Sequence, residues 1–276
     1  MKKLLIVGDS FCTRYMQETR KISTDDYLWK TSNYKYWFEY LSDEMKLDIV
    51  NLSFCGAGNQ QIFDNTLHAI NTHNDIEFAV ICWSEFDRIG LPYSHLGGDC
   101  IHVNLSNTHD DKNSMRNSIK KYNRLFRKDG LFNTLYMMDK FINYSIIIDN
   151  LFKHKKIKNI QAFSVSPFVR GEKTTRVNHF NLLKEYMNHK LFDKMNDENF
   201  FMFPGTSLLG GGNFFELIGK DYNKNWRKYA LNPERHENKE LAQKGWIIDC
   251  HPNGEGNKVI FDKLLDFTLD KYKKIV

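Results

Sequence analysis

Short unbroken apolar runs alternate along the chain with longer stretches in which apolar residues return every three or four positions. Leu4-Leu5-Ile6-Val7 is continuous and stops at Gly8, as a parallel strand buried on both faces does. Residues 49–52, 78–83 and 160–165 read the same way, the last closed by Pro167. Between them, Tyr34, Trp37, Phe38, Leu41 and Met45 recur at helical spacing, with Asn33 as the N-cap. Ile62, Phe63, Leu67 and Ile70 share the face of a second helix. Leu135, Met138, Phe141, Ile142 and Ile146 line a long amphipathic helix over 131–154, and residues 256–273 close the chain as another. Residues 20–32 and 88–108 read as loop and 111–128 as a charged helix. The tract 171–245 is the least regular, with a helix near 178–195 and the cluster Gly210-Gly211-Gly212.

Strands alternating with helices predict a three-layer α/β/α sandwich around a mainly parallel sheet, with right-handed crossovers. At 276 residues the whole chain, 1–276, is read as one domain carrying an insertion at 171–245. In such sheets ligands bind beyond the carboxyl ends of the strands. Ser10 follows the first strand, Gly56 the second and Ser84 the third.

Composition narrows the function classes. Hydrophobic residues make up 41% of the chain, enough for a sizeable core. The net charge of +5 is spread through interleaved Lys, Arg, Asp and Glu, with no basic stripe, so no nucleic-acid partner is expected. No apolar run approaches a membrane span, and the four apolar residues before Gly8 are too few for a signal-peptide core. A cytoplasmic protein with reduced thiols is expected, and nothing sets an oligomeric state. The five Cys fit no zinc template, and His179, His189 and His236 show no metal spacing, so neither metal nor organic cofactor is implied. Abundant Lys, Asn, Ile and Phe point to an AT-rich genome, viral genomes among them.

The chemistry gathers at the two ends of the chain. Gly8-Asp9-Ser10 leaves the first strand and is read as opening a helix, with the serine hydroxyl exposed and backbone N–H groups aimed at a developing oxyanion. A serine alcohol needs a base within hydrogen-bond reach. His251, beside Asp249 and ahead of the last helix, can be that base, with the carboxylate fixing its tautomer. Gly56 and Gly58 let a backbone N–H approach a reacting oxygen, and Asn59 either adds an amide donor or caps the next helix. Asp9, Trp83 and Arg88 are candidates for contact with substrate, although Arg88 can equally pair with Glu85 or Asp87. Trp226-Arg227 could line a sugar site.

These segments resemble the conserved blocks of the GDSL/SGNH hydrolases. Ile6-Val7-Gly8-Asp9-Ser10-Phe11 is similar to block I, which carries the nucleophile. Residues 50–59 resemble block II, whose glycine supplies an oxyanion N–H, here Gly56. Asp249-Cys250-His251-Pro252 resembles block V, with its acid and base. The resemblance implies a flavodoxin-like SGNH fold and a serine esterase without metal or cofactor. Its substrates would be small-molecule or carbohydrate esters, O-acetyl groups among them. Two departures stand out. Block III has an Asn donor where this chain has Cys82-Trp83-Ser84-Glu85, so Ser84 or Asn59 would have to donate instead. The Asp-x-x-His of block V is contracted to Asp-x-His, which leaves either a triad through Asp249 or a Ser–His dyad oriented by a backbone carbonyl. An acyltransferase using the same serine, or a non-catalytic carbohydrate-binding or virion module, fits the same motifs. A nucleotide-binding flavodoxin-like protein would need a longer, less bulky loop after strand one.

Overall fold

The computed structural model describes residues 2–14, 34–86, 88–92, 100–104, 134–168, 176–195, 197–219, 229–232 and 249–272. In chain order the elements are β1 (Lys3–Val7), α1 (Trp37–Met45), β2 (Asp48–Asn51), α2 (Asn59–Thr72) and β3 (Ile76–Trp83). Next come β4 (Arg88–Pro92), β5 (Cys100–Asn104), α3 (Thr134–Lys155), β6 (Lys158–Phe163) and α4 (Arg176–Met187). The chain closes with α5 (Phe214–Ile218), β7 (Ala230–Asn232), β8 (Asp249–Pro252) and α6 (Gly254–Tyr272).

The strands β2, β1, β3 and β6 form one parallel sheet in that order. Side chains alternate across a strand, so each of the buried runs feeds two layers. Leu5, Val7, Ala79, Ile81 and Trp83 pack with Ile62 and Ala69 of α2 and Phe141, Ile142 and Ile148 of α3. Leu4, Ile6, Phe78, Val80 and Cys82 pack on the opposite face with Trp37 and Leu41 of α1, Phe214 of α5 and Ile260 and Leu264 of α6. The expected three-layer α/β/α arrangement is therefore present. Because β1 continues to β2 on one side while β3 lies on its other side, the crossovers diverge at β1, and sheets of this kind bind ligands beside the carboxyl end of the strand where that happens.

Several local expectations change. The stretch 88–108, read as loop, contains an antiparallel hairpin of β4 and β5, whose strands the punctuating Gly90 and Pro92 disguise in the sequence. Helix α1 starts at Trp37, where Glu39 reaches back to accept the Tyr36 N–H at 3.0 Å. Asn33, expected as its cap, lies outside the described residues, as does 111–128. Helix α4 stops at Met187, short of residue 195. Two residues on, the His189 ring accepts the Leu191 N–H on Nδ1 at 3.2 Å and binds Asp139 through Nε2 at 3.0 Å, which turns the chain away. No helix among the described residues is long and apolar enough to cross a membrane.

Candidate active site

The chain leaves β1 in a tight turn. The Cys12 N–H donates to the Asp9 carbonyl at 2.9 Å, and the Phe11 N–H donates to Asp9 Oδ1 at 3.0 Å. Thr13 Oγ1 donates to the Ser10 carbonyl at 3.2 Å. Ser10 thus sits at the apex of a hydrogen-bonded turn, where a helix start was expected; residues 8–14 contain turns and bends only. The loop after β2 is stitched to this turn. The Phe54 N–H donates to the Gly8 carbonyl at 3.0 Å, Asn51 Nδ2 to the Cys12 carbonyl at 2.7 Å, and Cys55 Sγ lies 3.3 Å from Thr13 Oγ1. Gly56 turns the loop with φ at +78°, a conformation that glycine adopts without strain. The backbone N–H groups of Ser10 and Gly56 have no hydrogen-bond partner among the described residues.

His251 reaches the same point from the other end of the chain. Its Nε2 lies 2.7 Å from Ser10 Oγ, across 241 positions of sequence. The imidazole stands on β8, paired with β7, and not on a loop. Phe11 packs against it with ring centroids 5.0 Å apart, and Phe215 of α5 meets Phe11 edge-on at 6.5 Å. Asp249 opens the same strand, and its side chain lies outside the described residues.

Trp37 joins the two ends. Its indole Nε1–H donates to the Phe11 carbonyl at 2.8 Å, and its backbone N–H donates to Asn257 Oδ1 at 3.1 Å. Asn257 Nδ2 in turn donates to the carbonyls of Pro252 at 3.2 Å and Asn253 at 2.9 Å. Both Trp37 and Asn257 are fully buried. Periodicity marks Trp37 as a core residue of α1; that its ring nitrogen serves the nucleophile turn has no signal in the sequence. Trp37→Phe keeps most of the bulk and strands a buried carbonyl. It should cost about 1–3 kcal/mol in urea unfolding, where a surface Trp exchange would cost nothing measurable.

The remaining candidates are drawn into the protein. Asp9, proposed as a substrate contact, is fully buried, and its second carboxylate oxygen accepts from Ser84 Oγ and from an Arg88 guanidinium nitrogen, each at 3.1 Å. Arg88 also reaches Glu85 Oε2 at 3.3 Å, so both of its ion pairs are made within the protein. Removing one partner of a buried pair of this kind costs about 3–5 kcal/mol. The expectation that Ser84 or Asn59 supplies a side-chain oxyanion donor is corrected. The Ser84 hydroxyl gives its proton to Asp9, and Asn59 Nδ2 donates to the carbonyls of Ser84 at 3.1 Å and Glu85 at 3.5 Å, while Asn59 Oδ1 accepts the Ser84 N–H at 2.8 Å. This reciprocal amide pair clamps the start of α2 to the end of β3. Trp83 is corrected as well: it is fully buried, stacks edge-on against Phe141 at 5.4 Å and donates Nε1–H to Gln161 at 2.8 Å, beyond reach of a substrate.

No family model matches the chain, and no curated protein matches it. Among solved structures, the chain is similar to a lipolytic protein of the G-D-S-L family from Desulfitobacterium hafniense DCB-2, with 11% identity, 97% of this chain and 99% of that one covered, and a TM-score of 0.44. It is also similar to the psychrotrophic esterase EstA from Pseudoalteromonas sp., in a structure inhibited by monoethylphosphonate, with 11% identity, 99% and 100% covered, and a TM-score of 0.41.

Against Gly8, where the chain leaves β1, lies a pair of buried thiols. Burial, then the hydrogen bond with Cys82, pushes the Cys12 thiol well above its usual range, so it stays neutral and does not compete as a nucleophile. Among the described residues no group of three or more His, Cys, Asp or Glu is placed to hold a metal ion. Trp226, Arg227 and His236 lie outside the described residues, as does the side chain of His179.

Proposed function

We propose that this protein is a serine esterase that cleaves a carboxylic ester through an acyl-enzyme on Ser10. The observation that carries the proposal is the 2.7 Å approach of His251 Nε2 to Ser10 Oγ, beyond the carboxyl end of β1. A neutral imidazole with its proton on Nδ1 accepts the hydroxyl proton as Oγ attacks the ester carbonyl. The N–H groups of Ser10 and Gly56 receive the oxyanion, with no side-chain donor from Ser84 or Asn59. The imidazolium then returns its proton to the leaving alcohol, and water, activated by the same imidazole, releases the acid. Asp249, from its place in the sequence, is assigned to orient the ring. Residues 171–245 are assigned to shape the substrate pocket, a role supported by the contact of Phe215 with Phe11. The resemblance of the sequence blocks suggests O-acetyl groups on carbohydrate as the substrate type.

The test is labelling of the full chain with a fluorophosphonate probe, followed by peptide mass spectrometry and assay with p-nitrophenyl acetate. The phosphonate should be found on Ser10, and Ser10→Ala should lose both label and turnover while retaining its melting temperature. A folded wild-type chain that takes no label, or takes it at another residue, would overturn the proposal and favour a non-catalytic module.

A further inference from the structure

The geometry points to Arg88 as a positioning residue that sets the reactive conformation of the nucleophile turn through Asp9; this rests on the esterase reading of Ser10. Asp9 lies wholly inside the protein. Its side chain is 0% exposed, and a carboxylate so placed has to be surrounded by donors. It receives three. The Phe11 N–H fills Oδ1, and Ser84 Oγ and Arg88 share Oδ2. The first of these closes a ring over Ser10, because Asp9 and Phe11 are its two chain neighbours. The turn from the Asp9 carbonyl to the Cys12 N–H closes a second ring over the same residue. With both rings formed, the Ser10 N–H is left without an internal acceptor among the described residues, as an oxyanion donor has to be.

The same carboxylate governs the base. Phe11, whose N–H it holds, is the ring against which His251 packs. A rotation of the Asp9 side chain therefore disturbs three things together: the Ser10 hydroxyl, the Ser10 N–H and the wall behind the imidazole. Arg88 is the one cation bound to Asp9 among the described residues, and its 3.3 Å contact with Glu85 fixes it from the other side. It is anchored locally by its own N–H donating to the Glu85 carbonyl at 3.3 Å. With both carboxylates engaged and the side chain 16% exposed, Arg88 has its charge directed inward, toward the turn.

Kinetics on the full-length protein separate this role from substrate binding. Arg88→Ala should lower kcat for p-nitrophenyl acetate by about 10²-fold, the cost of misplacing reacting atoms by about 1 Å, with KM changed less than about twofold. Guanidinium ion at millimolar concentration should restore part of the lost kcat, and Asp9→Asn should make the loss from Arg88→Ala smaller than in the wild type. Arg88→Lys, which keeps the cation but not the two-pronged grip, should fall between and serves if the alanine variant does not fold. A rise in KM with kcat retained would overturn the proposal in favour of a substrate contact. A loss of kcat that guanidinium does not relieve would reduce Arg88 to a structural residue. A readout independent of turnover is the ¹⁵N resonance of His251 Nε2, which should move in the Arg88 variants toward its position in Ser10→Ala. If the wild type neither labels nor turns over, yet that resonance moves, the esterase reading falls and the positioning role stands. An unmoved resonance overturns the positioning role in either case.

Discussion

Replacing His251 with alanine is expected to lower turnover of p-nitrophenyl acetate by about 10⁴-fold or more, while the melting temperature changes little. The reason is the state of Ser10 before reaction. An alcohol at neutral pH is protonated, and its attack on a carbonyl requires the proton to leave as the bond forms. In the proposed mechanism the acceptor is His251 Nε2, which lies 2.7 Å from Ser10 Oγ. With the ring gone, a water has to take the proton from a position that nothing holds. The backbone N–H groups of Ser10 and Gly56 would still stabilise the oxyanion, so a residual rate above that of the uncatalysed reaction should remain. The fluorophosphonate should show the same fall in labelling rate. Stability should largely survive because the imidazole is only half-buried, so its loss removes limited packing, the contact with Phe11 included. A His251→Ala chain that hydrolyses the ester within about tenfold of wild type would assign the proton transfer to a different group, and the Ser10 mechanism would have to be abandoned.

The layers of the fold were legible because burial on both faces writes itself as continuous apolar runs. Leu4 to Val7 and Phe78 to Trp83 read as strands of the parallel sheet, and they are. The helices α1, α2 and α3 were legible from their spacing for the same reason: one face of each packs on the sheet. The hairpin of β4 and β5 was not, since Gly90 and Pro92 interrupt the alternation that marks a strand. At the site, residue types and their place at the strand ends pointed to Ser10, Gly56 and His251. The direction of each hydrogen bond could not be read. Ser84 stands where an oxyanion donor would be sought, yet the buried carboxylate of Asp9 beside it claims its proton, because an unpaired charge there would cost more than a lost donor. Asn59 is similarly claimed by the open end of β3. Trp83 looks like a platform for substrate in a sequence and is a core residue in space, with its only polar atom satisfied by Gln161. The partners of Trp37 are 26 and 220 positions away and leave no local pattern.

Gly8→Ala is expected to destabilise the protein by about 1–3 kcal/mol and to reduce esterase activity more than that loss of stability explains. Gly8 is the hinge between β1 and the nucleophile turn, and the turn folds Cys12 back beneath it. A Cβ at residue 8 would come within 2.5 Å of Cys12 Sγ, 2.9 Å of Cys82 Cβ and 3.1 Å of Cys12 Cβ. All are far inside the roughly 3.5–4.0 Å at which such atoms attract. Cys12 and Cys82 are fully buried, so neither thiol can swing into solvent to make room. Either β1 separates from β3, which strains the central pair of the sheet, or the turn lifts. The second route costs less packing and carries Ser10 with it, away from His251. Turnover measured well below the unfolding midpoint should therefore fall by about 10²-fold even where the protein is fully folded. Cys12→Ala in the same chain removes the nearest of the three atoms and should recover part of both losses, although the two Cβ contacts remain. Equal urea midpoints and equal kcat for wild type and Gly8→Ala would mean that the turn can rise without disturbing Ser10. The tight approach of β1 to the thiol pair would then have no part in aligning the nucleophile.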